Sequence, residues 1–452
     1  MTDERLTRLK TGAFERRFSI AKASVVAGSR IAASSVGSMF SAPEDRASAR
    51  RRALAEQAEY LVGELGKLKG SVVKIGQMMA LYGEHFLPEE ITSALHKLND
   101  STTALAWETL EPLVREQLGD RFDELDINPE PLGAASLAQV HRARRRSDGA
   151  EVVLKIQYPG VAEAIDSDLS LVTQMLRLTR AVPQTRDFDE WLDEVRMMMH
   201  REVDYPLEAA TTQRFHDFLK DDPRFIVPTI YPEYCTGKVL VMSYEYGVPV
   251  NSQAVLQLAP ERRNALSLAA LEICCREVFE WGQIQTDPNF GNYLVRLGDG
   301  AGTPDQIILL DFGAVRDFPE DLLELARGMT RAAYNSDRDA MRRAMKGFRF
   351  FDNLQGKTLE HFIDLALLAF EPFADSSKVP PEVVNADGAY CWAASKLHSR
   401  VTSLAARSAM SKQFTVPPKE FMFLSRKFMG AYTFMTVMDA QIKARELLAK
   451  YM

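Results

Sequence analysis

Apolar residues near the start of the chain recur at helical spacing. Leu54, Leu61 and Leu65 fall on one face of a helix, because side chains three, four and seven positions apart lie above one another. The pattern predicts helices over residues 47–97, and a second amphipathic stretch predicts a helix over residues 107–120. The chain therefore opens with a helical region.

Near residue 127 the pattern changes to short strands. Pro129 and Pro131 interrupt the helical spacing, because proline removes a backbone donor and clashes with the preceding turn. Asp148-Gly149 is a hairpin signal, and the β-branched run Val152–Ile156 is typical of a strand. We therefore expect a β-hairpin with a small-residue loop on its first side.

The rest of the chain is mostly helical, with a few short strands. Helices are expected over residues 161–182 and 188–219, and strands over Ile226–Ile230, Val239–Tyr244, Tyr293–Val295 and Ile307–Leu310. A small α+β region thus precedes a mostly helical one. We predict the α+β class and four segments, which are an arm at residues 1–46, a helical extension at 47–125, a smaller lobe at 126–245 and a helical lobe at 246–452.

Composition narrows the class of partner. The chain has 452 residues and a net charge of −7, so no whole-chain basic field is present to bind nucleic acid. Its four cysteines form no C-x-x-C pair, which favours a reducing compartment. No run of eighteen apolar residues predicts a transmembrane helix.

Residues 1–30 carry seven Lys and Arg against three Asp and Glu, so this arm is either a poorly ordered terminus or a surface helix that meets anionic lipid.

Two short segments near the middle of the chain carry the chemistry. Asp287 is followed five positions later by Asn292, and an apolar strand then leads to Asp311-Phe312-Gly313. This is the layout of a kinase catalytic loop and metal-binding turn. In that layout Asp287 orients a nucleophile, while Asn292 and Asp311 hold Mg²⁺ against the phosphates of ATP or ADP. An ordinary loop with turn residues is the alternative interpretation of Asp287–Asn292.

Lys155 on the predicted strand Val152–Ile156 supplies the cation that nucleotide phosphates need. An exposed strand lysine is the alternative. Ala134, Ala135 and Ser136 take the place of a glycine-rich phosphate loop, and Glu245 follows the strand that would form a nucleotide-binding hinge. Together with the loop and turn, these residues predict a protein-kinase-like, two-lobed fold with an N-terminal helical extension.

Three features depart from ordinary protein kinases. The Gly-x-Gly-x-x-Gly loop is absent, Gln285-Thr286-Asp287 replaces His-Arg-Asp, and no Ala-Pro-Glu follows the metal-binding turn. The chain runs instead from Ala314 through Pro319 into a helix. Little activation segment is left to hold a peptide substrate.

These residues resemble the UbiB-like (AarF) family of atypical kinases, the group associated with coenzyme Q biosynthesis. Lys74-Ile75-Gly76-Gln77 matches its Lys-x-Gly-Gln signature, and Glu202-Val203-Asp204 matches its Glu-x-Asp motif. The remaining matches are the Ala-rich loop, Glu208 at the family's spacing, and Asp287-Pro288 with Gly291-Asn292. The family's catalytic loop reads His-Ala-Asp-Pro-His-Pro-Gly-Asn, so this chain departs from it at Gln285, Thr286, Asn289 and Phe290.

The resemblance implies a helical extension packed over the active site. Lys155 would pair with Glu208, while Lys74 and Gln77 would enter the cleft near Glu202 and Asp204 and regulate access to it. Without the other motifs, these four residues could equally be a solvated helix face and surface carboxylates.

The implied activity is Mg²⁺-dependent ATP binding and hydrolysis that supports ubiquinone or related isoprenoid-lipid metabolism at a membrane surface. Its clients would be a lipid or quinone precursor and a biosynthetic complex. The expected location is the cytoplasm, peripheral on the inner membrane, with an organelle matrix as a second option. Alternatives are a non-catalytic nucleotide-binding scaffold, or a kinase for an unidentified protein or small molecule.

Overall fold

The structure is a computed structural model, and it describes residues 43–66, 70–83, 86–98, 104–178, 182, 185–287, 289–300, 302–346, 349–352, 354–409 and 419–452. Most of the predicted basic arm lies outside these residues. The chain divides into two compact units. The first comprises the described residues of Met1–Ala210 with Thr229–Tyr244, and the second comprises Thr211–Pro228 with Glu245–Met452. The four predicted segments remain a prediction.

Helices form most of the first unit. Those before the first strand are Pro43–Gly66, Ser71–Tyr82, Glu89–Leu95 and Trp107–Leu118, and those between the third and fourth strands of the sheet are Val161–Leu178, Arg186–Glu202 and the start of Tyr205–Leu219. Helix Ser71–Tyr82 is buried through Val72, Ile75 and Met79, and it packs against Val161–Leu178. Its apolar character explains the contact, since burying aliphatic side chains stabilises the packed state.

The first unit also contains a four-stranded antiparallel sheet. Its strands, in spatial order, are Leu125–Ala134, Ala138–Arg145, Glu151–Gln157 and Val239–Ser243. Leu154 and Ile156 are fully buried, and Lys155 between them points to the opposite face, as the two-residue period of a strand requires. Lys155 is paired in register with Val140 and Leu240, so the backbone on both sides holds it in place.

The single helix expected over residues 188–219 is wrong, because the chain forms two helices, Arg186–Glu202 and Tyr205–Leu219. The break has a local cause. The Asp204 carboxylate accepts a hydrogen bond from the Leu207 backbone N–H at 3.0 Å, and Pro206 occupies the first turn, where its missing donor is tolerated. Asp204 therefore caps the helix that carries Glu208.

Short sheets and many helices form the second unit. Its helices are the remainder of Tyr205–Leu219, then Gln253–Leu256, Pro260–Arg276, Glu320–Tyr334, Arg338–Met345, Arg349–Asp352, Gly356–Ala369, Trp392–Ser395, Leu397–Ala409, Lys419–Val437 and Ala444–Leu448. One sheet has the order Phe225–Ile226, Gln306–Leu309, Tyr293–Arg296 and Val248–Pro249. Two further pairs are Gln283–Gln285 with Val315–Asp317, and Tyr390–Cys391 with Gln441–Ile442.

Aromatic residues dominate the core of the second unit. Trp392 and Tyr432 are almost fully buried, with ring centroids 5.0 Å apart. Phe312 of the Asp-Phe-Gly turn is 3% exposed and packs against Phe215, with ring centroids 4.7 Å apart. The position of the turn is thereby fixed by the core. Within the described part of the chain, no helix combines the length and apolar character needed to cross a bilayer.

Candidate nucleotide and metal site

Lys155 and Glu208 form a close ion pair in the first unit. The Lys155 Nζ lies 2.6 Å from one Glu208 carboxylate oxygen and 2.9 Å from the other. Glu208 is 2% exposed, so its charge depends on this partner for compensation. The Tyr205 ring lies 5.5 Å below the Lys155 Nζ and adds a cation–π contact. The pairing implied by the family resemblance is present, with the lysine on an inner strand of the sheet.

The Lys-x-Gly-Gln and Glu-x-Asp motifs also meet within the first unit. The Lys74 Nζ lies 2.8 Å from Glu202 Oε1, with both side chains about a quarter exposed. Gln77 donates to the Leu98 carbonyl at 3.4 Å, and Asp204 is the helix cap described above. The structure thus joins Lys74 to Glu202, whereas Gln77 and Asp204 have other partners. The regulatory roles of these four residues remain predictions.

The Ala-rich loop joins the first two strands of the sheet. The Ala135 backbone N–H donates to the Ala138 carbonyl at 2.8 Å, and Ser136 is buried next to it. At Gly133 an added Cβ would meet no described atom within 4 Å. This loop therefore does not need glycine's conformational freedom at its first position, which explains how an alanine-rich sequence can form it.

Gln139 and His141 anchor the helical extension to the sheet. Gln139 accepts from the Leu105 N–H at 2.9 Å and donates to the Leu105 carbonyl at 3.2 Å. The His141 ring lies 4.8 Å from the Trp107 ring, and both Gln139 and His141 are fully buried. Both residues lie on strand Ala138–Arg145, directly after the Ala-rich loop. Their partners show that they fasten the segment before Trp107–Leu118.

The two segments that carry Asp287, Asn292 and Asp311 lie side by side in the second unit. The Asn292 Nδ2 donates to Asp287 Oδ2 at 3.1 Å, which leaves the Asn292 side-chain oxygen facing away from that bond. The Asp311 carboxylate accepts from the Gly313 backbone N–H at 2.9 Å. The Leu310 N–H also donates to the Asn292 carbonyl at 3.0 Å, which ties the loop to the strand before the turn. Carboxylate and amide oxygens are the ligands that Mg²⁺ prefers.

Gln285 and Thr286, which depart from the family pattern, hold the two segments together. Gln285 accepts from the Asp287 N–H at 3.1 Å and donates to the Asp311 carbonyl at 2.6 Å. The Thr286 hydroxyl donates to the Ala314 carbonyl at 2.8 Å. Both side chains are buried, so a neutral amide and a hydroxyl here bridge the Asp287–Asn292 loop to the Asp-Phe-Gly turn and the residue after it.

Glu245 lies beside the last residue of strand Tyr293–Arg296, whereas Asn292 directly precedes the first residue of that strand. Its carboxylate pairs with the Arg296 guanidinium at 2.7 Å, and the Arg296 Nε donates to the Tyr246 carbonyl at 3.2 Å. The side chain predicted to contact nucleotide is therefore engaged by an arginine of strand Tyr293–Arg296. Its nucleotide contact remains a prediction.

Helix Lys419–Val437 adds residues to the site that no sequence motif indicated. We call it the loop-facing helix. The Arg426 guanidinium lies 3.7 Å from Asp287 Oδ1, and the neighbouring Lys427 forms a buried ion pair with Glu277 at 2.8 Å. Burial alone lowers the pKa of Lys427, but the adjacent Glu277 carboxylate outweighs it and raises that pKa above its usual range. Only the three-dimensional fold brings these residues beside the catalytic loop.

The comparisons with known proteins agree with this geometry. The model of the ABC1 atypical kinase-like domain matches residues 97–345. The protein named Atypical kinase COQ8B, mitochondrial, of Danio rerio is 30% identical over 394 residues, which are 86% of this chain and 60% of the relative. Atypical kinase COQ8, mitochondrial, of Saccharomyces cerevisiae is 29% identical over 397 residues, covering 86% of this chain and 75% of the relative. The chain therefore spans less than two thirds of the Danio rerio relative's length.

A solved structure is similar along most of the chain. It is titled the complex structure of Rv3197-erythromycin from Mycobacterium tuberculosis. The match has a TM-score of 0.57 and 25% sequence identity, and it covers 86% of this chain and 93% of that one.

Proposed function

Because the chain belongs to the ABC1 atypical kinase-like family, we propose that it binds and hydrolyses ATP with Mg²⁺ in support of isoprenoid-lipid metabolism. The predicted membership of the UbiB-like (AarF) group and the predicted α+β, protein-kinase-like fold are both confirmed by these matches. The activity, the cofactors and the client are the proposal.

The observation that carries the proposal is the arrangement of Asp287, Asn292 and Asp311. Three oxygen-bearing side chains lie on two segments that Gln285 joins, and the buried Phe312 anchors the second segment. In phosphoryl transfer the protein mainly positions groups and neutralises charge, so pre-set oxygen ligands and cations are what the chemistry needs.

Mg²⁺ is the metal that these donors fit. Asn292 and Asp311 would hold it through hard oxygen atoms, and nucleotide phosphates would complete its coordination, as is usual for this ion. When bound, the ion neutralises charge on the phosphates. Asp287 would orient the attacking water or hydroxyl, because its carboxylate is held by Asn292 and is about a third exposed.

The first unit, taken by itself, contains an ion pair of the kind that suits nucleotide phosphates. Glu208 holds the Lys155 ammonium on the sheet, and a positioned ammonium is the partner that nucleotide phosphates require. Lys74 and Glu202 link the extension to the helix before Glu208. We propose that this link adapts the fold to a small or lipid-like client instead of a peptide, in keeping with the missing Ala-Pro-Glu segment.

The proposed client is a quinone precursor or another isoprenoid lipid at a membrane surface, reached together with a biosynthetic complex. Relatives named Atypical kinase COQ8 support this proposal, and their names place them in mitochondria. For this chain we propose a cytoplasmic or organelle-matrix protein that binds the membrane peripherally, with the basic stretch at residues 1–30 as the contact. Flotation with anionic liposomes tests this, and equal flotation of the full chain and a variant lacking residues 1–30 would refute the role of the arm.

Nucleotide binding by the purified full chain tests the central part of the proposal. We expect Mg²⁺ to tighten binding of a fluorescent ATP analogue to the wild type, and Asp311→Asn to abolish that metal dependence. The matched control is Asp321→Asn, which makes the same substitution at an exposed residue of the following helix, and it should behave as wild type. Unaltered metal-dependent binding in Asp311→Asn would refute the assignment. Binding without any turnover by the wild type would favour the non-catalytic scaffold.

A further inference from the structure

The loop-facing helix presents one side to the catalytic segments of the second unit. Phe423 on this helix is 3% exposed. Its ring centroid lies 4.2 Å from the guanidinium carbon of Arg316, a residue that follows the Asp-Phe-Gly turn. Further along the helix, the Phe434 ring centroid lies 6.1 Å from that of Phe290 in the catalytic loop. Arg426 stands between these two contacts, so the helix approaches the site along three of its turns.

A buried ion pair fixes the rotation of this helix. Lys427 is 4% exposed and Glu277 is 1% exposed, and the Lys427 Nζ lies 2.8 Å from each Glu277 carboxylate oxygen. Breaking such a pair is costly, because it would leave one charge buried without compensation. The backbone at Arg426, one residue earlier, is therefore held in a set position, and its side chain extends towards Asp287.

Arg426 contacts Asp287 at ion-pair distance, through one of the two Asp287 carboxylate oxygens. Its Nη2 lies 3.7 Å from Asp287 Oδ1, an ion-pair distance that is longer than a hydrogen bond, while Asn292 occupies the other carboxylate oxygen. A guanidinium has five N–H donors in a planar fork that matches phosphate oxygens. The side chain is 19% exposed, so solvent and small solutes reach it.

The catalytic loop itself supplies no cation. From Gln285 to Asn292 the sequence contains one charged residue, the carboxylate Asp287. Phosphoryl transfer develops negative charge on the terminal phosphate, and GTPases, which have a different fold, stabilise that charge with an arginine from the same chain or from a partner. In this chain the arginine beside Asp287 comes from a helix outside the residues that the family model matches.

We propose that Arg426 is the arginine that contacts the terminal phosphate of ATP and stabilises the charge that develops on it. This inference rests on the proposed function and adds a further catalytic residue to it. The competing explanation is structural, in which Arg426 only holds the Asp287 carboxylate. The two differ in what they predict for ATP relative to ADP, because ADP lacks the phosphate that Arg426 would contact.

The test compares Arg426→Gln and Arg426→Lys with wild type in the full chain. The matched control is Arg343→Gln, which removes an arginine from an Asp337 pair with the same 3.7 Å separation on an exposed helix. Affinities for Mg·ATP and Mg·ADP are measured by calorimetry, turnover by phosphate release, and folding by the thermal midpoint. We expect the wild type to bind Mg·ATP more tightly than Mg·ADP. For Arg426→Gln we expect turnover to fall by about a hundredfold or more and this preference to disappear, with ADP affinity kept within about twofold. Arg426→Lys should recover part of the turnover and part of the ATP preference, because lysine restores the positive charge without the planar set of guanidinium donors.

Two results would overturn the inference while leaving the proposed function intact. One is wild-type turnover and ATP preference in Arg426→Gln. The other is a parallel loss of ATP affinity, ADP affinity and thermal midpoint in that variant, which would show that Arg426 is structural. Failure of the wild type itself to bind Mg·ATP would instead refute the proposed function, and this inference with it.

Discussion

Removing one partner of the buried ion pair between Lys427 and Glu277 should strongly destabilise the second unit. Lys427 and Glu277 are 4% and 1% exposed, so neither charge can be hydrated once its partner is gone. Lys427→Met keeps the length and apolar stem of the side chain but leaves a buried carboxylate. We expect a loss of about 3–5 kcal/mol in the free energy of unfolding, the usual cost of breaking such a pair.

The size of this effect can be converted into a measurable shift. For a unit of roughly 200 residues, 1 kcal/mol lowers the thermal midpoint by about 2–4 °C, so we expect a drop of about 6–20 °C. Urea denaturation followed by tryptophan fluorescence gives the same quantity as a midpoint shift. Lys443→Met, on an exposed lysine of the same unit, is the control and should stay within about 0.5 kcal/mol of wild type.

The double variant Lys427→Met/Glu277→Gln decides whether the cost arises from the uncompensated charge. Burial raises the pKa of Glu277, and both Lys427 and a hydrogen bond from the Gln285 backbone oppose that rise. The neutral amide keeps an acceptor for this backbone donor, so we expect the double variant to recover most of the loss. A double variant as unstable as the sum of the two single variants, or a single variant with unchanged stability, would refute the reasoning.

Three further predictions follow from the pairs and buried thiols of the two units. Glu208→Gln should weaken Mg·ATP binding by about tenfold, because it removes the charge that positions the strand lysine; equal affinity in a binding titration would contradict this. The Arg224 guanidinium donates hydrogen bonds to Asp222 and so holds the pKa of that carboxyl below its usual 3.8. The stability that this pair contributes is fully present above pH 3.8, and it is lost as the pH falls through the lowered pKa of Asp222 in the folded protein. Arg224→Gln should therefore destabilise the protein more at pH 7 than at pH 3, as measured by urea titration. Burial raises the pKa of Cys274 to about 11 and that of Cys275 well above its usual range, so both should react with a thiol reagent only after unfolding, and rapid labelling of the native chain at either residue would contradict their burial.

Local sequence signals were sufficient to predict the elements that carry the candidate site residues. The β-branched run around Lys155 predicts a strand, and the strand Glu151–Gln157 contains it. The spacing from Asp287 to Asn292 and the Asp-Phe-Gly turn predict two segments that meet, and hydrogen bonds join them. These predictions succeeded because strand propensity and turn chemistry act over a few residues.

Other features could not be predicted, because they depend on contacts between residues far apart in the chain. Arg426 carries no motif, and only the packing of the loop-facing helix places it beside Asp287. Gln285 looked like a departure from the family pattern, yet its amide bridges two loops. The break before Tyr205 was missed although Asp204 and Pro206 signal it, because the apolar period continues across the gap.

ATP hydrolysis by the pure full-length chain tests the central claim most directly. Phosphate release is followed with Mg²⁺, with and without anionic liposomes, for wild type, Asp311→Asn and Lys74→Ala. We predict slow turnover by the wild type that requires Mg²⁺ and rises with liposomes, none by Asp311→Asn, and an altered rate in Lys74→Ala, which loses the link to Glu202. Turnover by Asp311→Asn equal to that of the wild type would contradict the account.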